Sequence, residues 1–137
     1  VRVRASTFWE LPWFIDRTGY DPPPGFRGLV AVGADERIRG FIGFDRWTPA
    51  SACMHVAVDS PGACRGLLRS AFGYLFTDAG RSLARAEVRA GNAPSLEATR
   101  RVGFREVFRT KDGWAAGEDL VHFEMRREEC RWLKEKP

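Results

Sequence analysis

The segment Gly91-Asn92-Ala93-Pro94-Ser95-Leu96-Glu97-Ala98-Thr99-Arg100-Arg101-Val102-Gly103-Phe104 opens with a helix start and closes with a helix stop. Asparagine caps a helix by accepting a hydrogen bond from a free backbone N–H. Proline fits a first turn, and glycine past the last turn ends the helix. The pattern predicts a helix over 94–102, following a short strand at 84–89 and leading into a strand that begins at Phe104. An ordinary capped helix accounts for these residue types without any function. What gives the segment weight is the order of elements around it.

Towards the N-terminus, Ala63 to Ala79 carries Leu67, Leu68, Ala71, Phe72, Leu75 and Phe76 at spacings of three and four, which predicts a helix with one apolar stripe, ended by Gly80. Ala52 to Val58 reads as a strand with Cys53, His55 and Ala57 on one face and Met54, Val56 and Val58 on the other. Asp59-Ser60-Pro61-Gly62 reads as loop. Strand, helix and strand in succession (52–58, 63–79, 84–89) suit a right-handed parallel crossover. Before them, 29–32 and 37–44 are two strands around the turn Gly33-Ala34-Asp35-Glu36. Val1 to Ala5 is a short opening strand. Thr7 and Glu10 match a capping box for the helix bearing Phe8, Trp9, Leu11, Phe14 and Ile15, which Gly19 and Pro22-Pro23-Pro24-Gly25 stop. That proline run predicts a stiff loop beside a binding cleft. After the signature segment, 104–110 and 120–125 are the arms of a hairpin with a long connection, Lys111 to Asp119. The order is β-α-β-β-β-α-β-α-β-β, without internal repeat or second domain.

Composition narrows the function classes. A chain of 137 residues, 44% hydrophobic and 29% charged, fits one globular domain, 1–137. No apolar run approaches the ~20 residues of a membrane span and no signal-peptide core is evident, so the expected location is the cytoplasm. Three widely spaced cysteines (Cys53, Cys64, Cys130) and two histidines (His55, His122) suggest neither a disulfide framework nor a metal cluster. The cysteines read as small core residues. The net charge of +4 is spread along the chain rather than gathered into a basic arm, which admits a polyanionic cofactor and leaves nucleic acid only a minor reading that rests on the basic pI alone.

With these residues in view, the chain resembles the GNAT N-acetyltransferase superfamily. There an asparagine ends a strand and opens a helix, a small residue follows at three, and Gly-Phe comes at eleven and twelve. Asn92, Ser95, Gly103 and Phe104 keep that spacing, and the element order matches over essentially the whole chain. The resemblance implies an α/β (α+β) fold, a mixed, twisted sheet with helices on both faces and a parallel strand pair that splays apart. It implies an acetyl or short acyl group moved from acetyl-CoA or another short acyl-CoA to a primary amine by direct attack. The pantetheine arm would pair with the 52–58 strand at Val56 and Val58, and the pyrophosphate would rest on the next helix start.

The match is incomplete in two places. The family's pyrophosphate loop reads Gln/Arg-x-x-Gly-x-Gly/Ala, whereas this chain has Ala63-Cys64-Arg65-Gly66-Leu67-Leu68, in which only Gly66 fits. Cys64, Arg65, Gly66, Leu67 and Arg69 are the candidates there, the two arginines supplying charge to phosphate or simply facing solvent. Many members also carry a tyrosine seven residues after the asparagine, where this chain has Thr99. In that respect it is more similar to the branch of ribosomal-protein N-terminal acetyltransferases, where a serine three after the asparagine is placed to act on the departing thiolate. This makes Ser95 a catalytic candidate, with Asn92 holding the cofactor arm; a serine is also a good first-turn residue. His55 is the candidate base, an imidazole titrating near neutrality. A structural histidine is the plainer reading, and Glu106, Asp119 and Glu124 are alternatives. Trp9, Trp13, Trp47, Trp114 and Phe26 are expected mostly in the core, those in loops being available to wall an acceptor pocket. Expected partners are a small-molecule or peptide amine, with room for a homodimer and no membrane. The competing reading is a catalytically inactive GNAT-like domain that binds CoA or another protein.

Overall fold

The computed structural model describes residues 1–59 and 61–133. Three helices and seven strands follow the predicted order: β1 (Arg2–Ala5), α1 (Leu11–Thr18), β2 (Arg27–Val32), β3 (Ile38–Asp45), β4 (Ser51–Val58), α2 (Pro61–Gly73), β5 (Leu83–Arg89), α3 (Ala93–Val102), β6 (Arg105–Ala115) and β7 (Glu118–Arg126). The strands form one mixed sheet in the order β1-β2-β3-β4-β5-β7-β6. Every neighbouring pair is antiparallel except β4 and β5, which are parallel and joined through α2.

The sheet's alternation assigns its two faces. Ile42 and Phe44 of β3, Ala52 and Met54 of β4, and Ala84, Ala86 and Val88 of β5 pack with Leu67, Leu68 and Phe72 of α2 and Leu96 of α3. Val30, Val32, Phe41 and Ala57 face the other way and meet Phe14 of α1. Helices thus cover both faces, α1 on one and α2 with α3 on the other. α1 is preceded by a 3-10 turn, Phe8–Glu10, in which the Thr7–Glu10 capping box is made. It ends where Gly19 enters the left-handed region at φ 68°, a conformation open to a residue without Cβ.

Four sequence expectations are corrected. α2 begins at Pro61 rather than Ala63, because proline suits the first helical position and Gly62 continues the turn. Ser60, in the predicted loop, lies outside the described residues. The helix also leaves α geometry before its end: Tyr74–Asp78 form a π turn closed by the Ala79 N–H on the Tyr74 carbonyl at 2.7 Å. The late hairpin is longer than expected, its strands running to Ala115 and from Glu118, so most of 111–119 is strand and not connection. The register shifts between Thr110 and Ala115, and this irregularity hides the alternation that marks a strand. Trp9, expected in the core, is 84% exposed, and Trp114, expected on the connection, is 58% exposed on β6. Among the described residues no helix is long and apolar enough to cross a membrane.

Candidate active site

Parallel pairing of β4 with β5 runs through Ser51–Leu83, Ala52–Ala84 and Cys53–Arg85 and stops there, although both strands continue. β4 remains paired with β3 on its other side as far as Gly40–Val58. The Asp59 N–H donates to the Arg39 carbonyl at 2.9 Å, so Arg39 and Asp59 are a hydrogen-bonded pair. Antiparallel pairs alternate, so Cys53, His55 and Ala57 spend their backbone groups on β3. The N–H and C=O of Val56 and Val58 point instead into the gap, where β5 no longer pairs with them. The Val56 side chain, on the face of α2 and α3, is 45% exposed in the middle of a strand.

Both strands of the parallel pair lead into helices at this same end. α2 presents the free N–H groups of its first turn, which the start at Pro61 assigns to Gly62 and Ala63, whereas the Cys64 N–H already bonds within the helix. Gly66 and Leu67 fall deeper, where N–H groups bond within the helix, and the Leu67 side chain is fully buried. Arg65 and Arg69 are exposed and make no ion pair among the described residues. The space beside Gly66 is open, with no atom within 4 Å of where a Cβ would stand. At α3, the Asn92 side chain accepts from the Ser95 N–H at 3.2 Å, the cap expected from sequence. Ser95 is half-buried; its carbonyl accepts from the Thr99 hydroxyl at 2.7 Å, and its own hydroxyl has no partner among the described residues.

On the opposite face, two residues beyond the last parallel pair, His55 sits in a polar cluster that sequence reasoning did not assemble. Its Nε2 lies 2.7 Å from Asp45 Oδ1 at the end of β3, and the Tyr20 hydroxyl donates to Asp45 Oδ2. Tyr20 stacks on the imidazole with centroids 4.4 Å apart, and Phe26 stands 6.2 Å away. The proline-rich loop thus delivers both aromatics to His55, and Gly43, the register partner of His55, makes room. A Cβ on Gly43 would stand 1.9 Å from Phe26 Cζ. Asp45 is 1% exposed.

Arg46 turns back into this cluster through a left-handed backbone, φ 48°, a conformation that costs a non-glycine residue roughly 1–2 kcal/mol. Its guanidinium contacts Glu87 at 2.8 Å and donates to Cys53 Sγ at 3.0 Å. Asp45, Cys53 and His55 bring ligand-type atoms within 4.8 Å of one another, a grouping across two strands that the sequence reading did not find. The fixed guanidinium already supplies the cation beside the sulfur.

Burial sets the protonation of the cluster. Desolvation lowers the His55 pKa below its ordinary 6.5, outweighing the Asp45 hydrogen bond that raises it. Desolvation first, and then the bond to Asp45, push Tyr20 up to about 12. Desolvation raises Cys53 to about 11 despite Arg46, so it stays a thiol at neutral pH. The other carboxylates considered are engaged elsewhere. Glu106 binds Arg100 and Arg109, Asp119 accepts from the Asp112 N–H, and Glu124 lies 3.8 Å from Arg105. His122 stacks on Phe108 and bonds Thr110.

No protein-family model matches the chain, and no curated protein matches it in sequence. Solved structures do. The spermidine/spermine N-acetyltransferase SpeG from Vibrio cholerae, in complex with manganese ions, superposes with a TM-score of 0.76 at 14% identity, over 91% of each chain. A chimera of the Vibrio cholerae enzyme with hSSAT gives 0.76 at 15% identity, over 98% of this chain and 100% of that one. A dodecameric structure of the Vibrio cholerae spermidine N-acetyltransferase gives 0.74 at 14%, over 93% and 94%. At such identity the likeness concerns architecture. The seven-stranded mixed sheet with its β4–β5 parallel pair is the GNAT fold.

Proposed function

We propose that the chain is an N-acyltransferase that moves an acetyl or other short acyl group from acyl-CoA to a primary amine. The observation that carries this reading is the β4–β5 splay, with the backbone groups of Val56 and Val58 turned into it and two helix N-termini at its mouth. These features fit the cofactor. Val56 and Val58 would pair with an extended pantetheine arm as a strand does. The Gly62 and Ala63 amides, with Arg65 and Arg69, would take the phosphates. Bound there, acyl-CoA supplies an acyl group activated as a thioester. Asn92 fixes the start of α3, and the unpartnered Ser95 hydroxyl is free to donate to a departing sulfur.

His55 is neutral near pH 7 and can accept a proton from the amine. In the transfer the N–C bond forms, the C–S bond breaks with its electron pair leaving on sulfur, and the amine proton goes to His55. A Cys53 thiol held protonated and buried supports direct attack over a cysteine acyl carrier.

Ser95 three residues after Asn92 favours an acceptor of the peptide N-terminal kind, by resemblance to the ribosomal-protein branch. The neighbouring solved structures act on spermidine, which makes polyamines the second class to try. Turnover with acetyl-CoA across peptide N-termini, lysine side chains, spermidine and small amines tests the proposal. Saturable CoA release that requires an amine supports it; acetyl-CoA binding without turnover on any amine would favour a binding domain instead. One solved neighbour is dodecameric, and sedimentation tests whether this chain self-associates too.

A further inference from the structure

The His55 cluster holds more order than a general base alone requires. Among the described residues, His55 makes one side-chain hydrogen bond, from Nε2 to Asp45 Oδ1 at 2.7 Å. No fully buried side-chain nitrogen or oxygen there lacks a partner, so Nδ1, which has none among the described residues, is not sealed from solvent. A carboxylate only accepts, and a neutral imidazole carries one N–H. The proton of the neutral ring therefore lies on Nε2, and the lone pair on Nδ1. Asp45 is in turn fixed by the Tyr20 hydroxyl on its other oxygen, and Tyr20 lies flat on the same ring.

We propose that Asp45, clamped by Tyr20, is a positioning residue that fixes His55 as the Nε2–H tautomer and leaves Nδ1 as the proton-accepting atom of the site. Its role in turnover rests on the acyltransferase reading; the tautomer does not. An imidazolium formed at Nδ1 keeps Nε2–H on Asp45, so the new charge faces a carboxylate without any group moving. The other groups facing the ring are Arg46 beside Asp45, Cys53 on β4 and Glu87 on β5, with the apolar Phe14 of α1 and Phe26 closing the sides. Arg46 works against the protonated ring, and Asp45 and Glu87 favour it.

Long-range proton–nitrogen correlation spectra of the two histidine rings test this directly, with His122→Gln assigning the signals. The expected wild-type spectrum at neutral pH shows His55 protonated on Nε2. Asp45→Asn should give a mixture of tautomers and a lower His55 titration midpoint, since Asp45 raises it. The same variant should lower kcat more than tenfold with KM little changed and move the acidic limb of the pH profile downward, a shift that a merely structural role would not produce. A wild-type ring protonated on Nδ1 overturns the proposal, and needs no variant to fold. A His55→Gln enzyme with wild-type kcat and pH profile overturns the role of Nδ1 while leaving the tautomer standing. Failure of every amine to turn over would strike the acyltransferase reading and leave the spectral prediction intact.

Discussion

Cys53 and Arg85 are the last register partners of the parallel strands β4 and β5, and the gap assigned to the cofactor opens just beyond them. Two residues on, His55 projects to the α1 face. One residue further, Val56 turns its backbone groups into the gap. A parallel pair that parts while both strands continue leaves main-chain donors and acceptors without strand partners, and such groups seek a ligand or water.

Charge at the start of α2 should govern cofactor affinity. Arg65 and Arg69 stand four apart and exposed in the second and third turns of α2, on the same stretch of helix that follows its free amides. Replacing both with alanine should weaken acetyl-CoA binding by about tenfold or more, as loss of charge-assisted phosphate contacts would. Titration calorimetry at two salt concentrations measures it. Affinity unchanged within twofold would make them solvent-facing arginines only.

Ser95→Ala should lower kcat roughly 10- to 100-fold while leaving the acetyl-CoA Kd nearly unchanged. A hydroxyl aimed at sulfur acts where charge develops, in the transition state. The Asn92 cap uses the Ser95 backbone N–H and the Thr99 bond its carbonyl, so both survive the substitution and Tm should move little. Wild-type kcat in the folded variant would assign the role to Thr99 or to water.

Most of the architecture was legible because the elements keep clear periods. The α2 stripe, the β4 alternation and the Asn92–Gly103 caps each state their own structure. The late hairpin was misjudged where its register shifts after Thr110, because an irregular ladder erases the period of two. The polar cluster was illegible for a different reason. Tyr20, Asp45, Arg46, His55 and Glu87 come from a loop, a strand end and two strands, and no local spacing links them. Tyr20 carried one faint signal, standing between Gly19 and a proline run that stiffens the loop holding it.

Acid should destabilise the protein through His55. Burial depresses its pKa in the folded state, so between that value and the ordinary 6.5 the unfolded chain binds more protons. The contribution is fully present above pH 6.5 and is lost as pH falls below it. Denaturant midpoints measured from pH 7.5 to 5 should therefore decline more steeply for wild type than for His55→Gln. Parallel curves would mean that His55 titrates as it does in the unfolded chain.

The central claim is that acyl-CoA occupies the β4–β5 splay, and the backbone amides of Val56 and Val58 report on it most directly. Titrating acetyl-CoA into nitrogen-15-labelled protein should shift those two amide signals saturably and slow their hydrogen exchange as they gain a partner. The Gly62 and Ala63 amides should move with the same dissociation constant. Saturable binding that leaves Val56 and Val58 unshifted, or no binding at millimolar acetyl-CoA, would contradict the account.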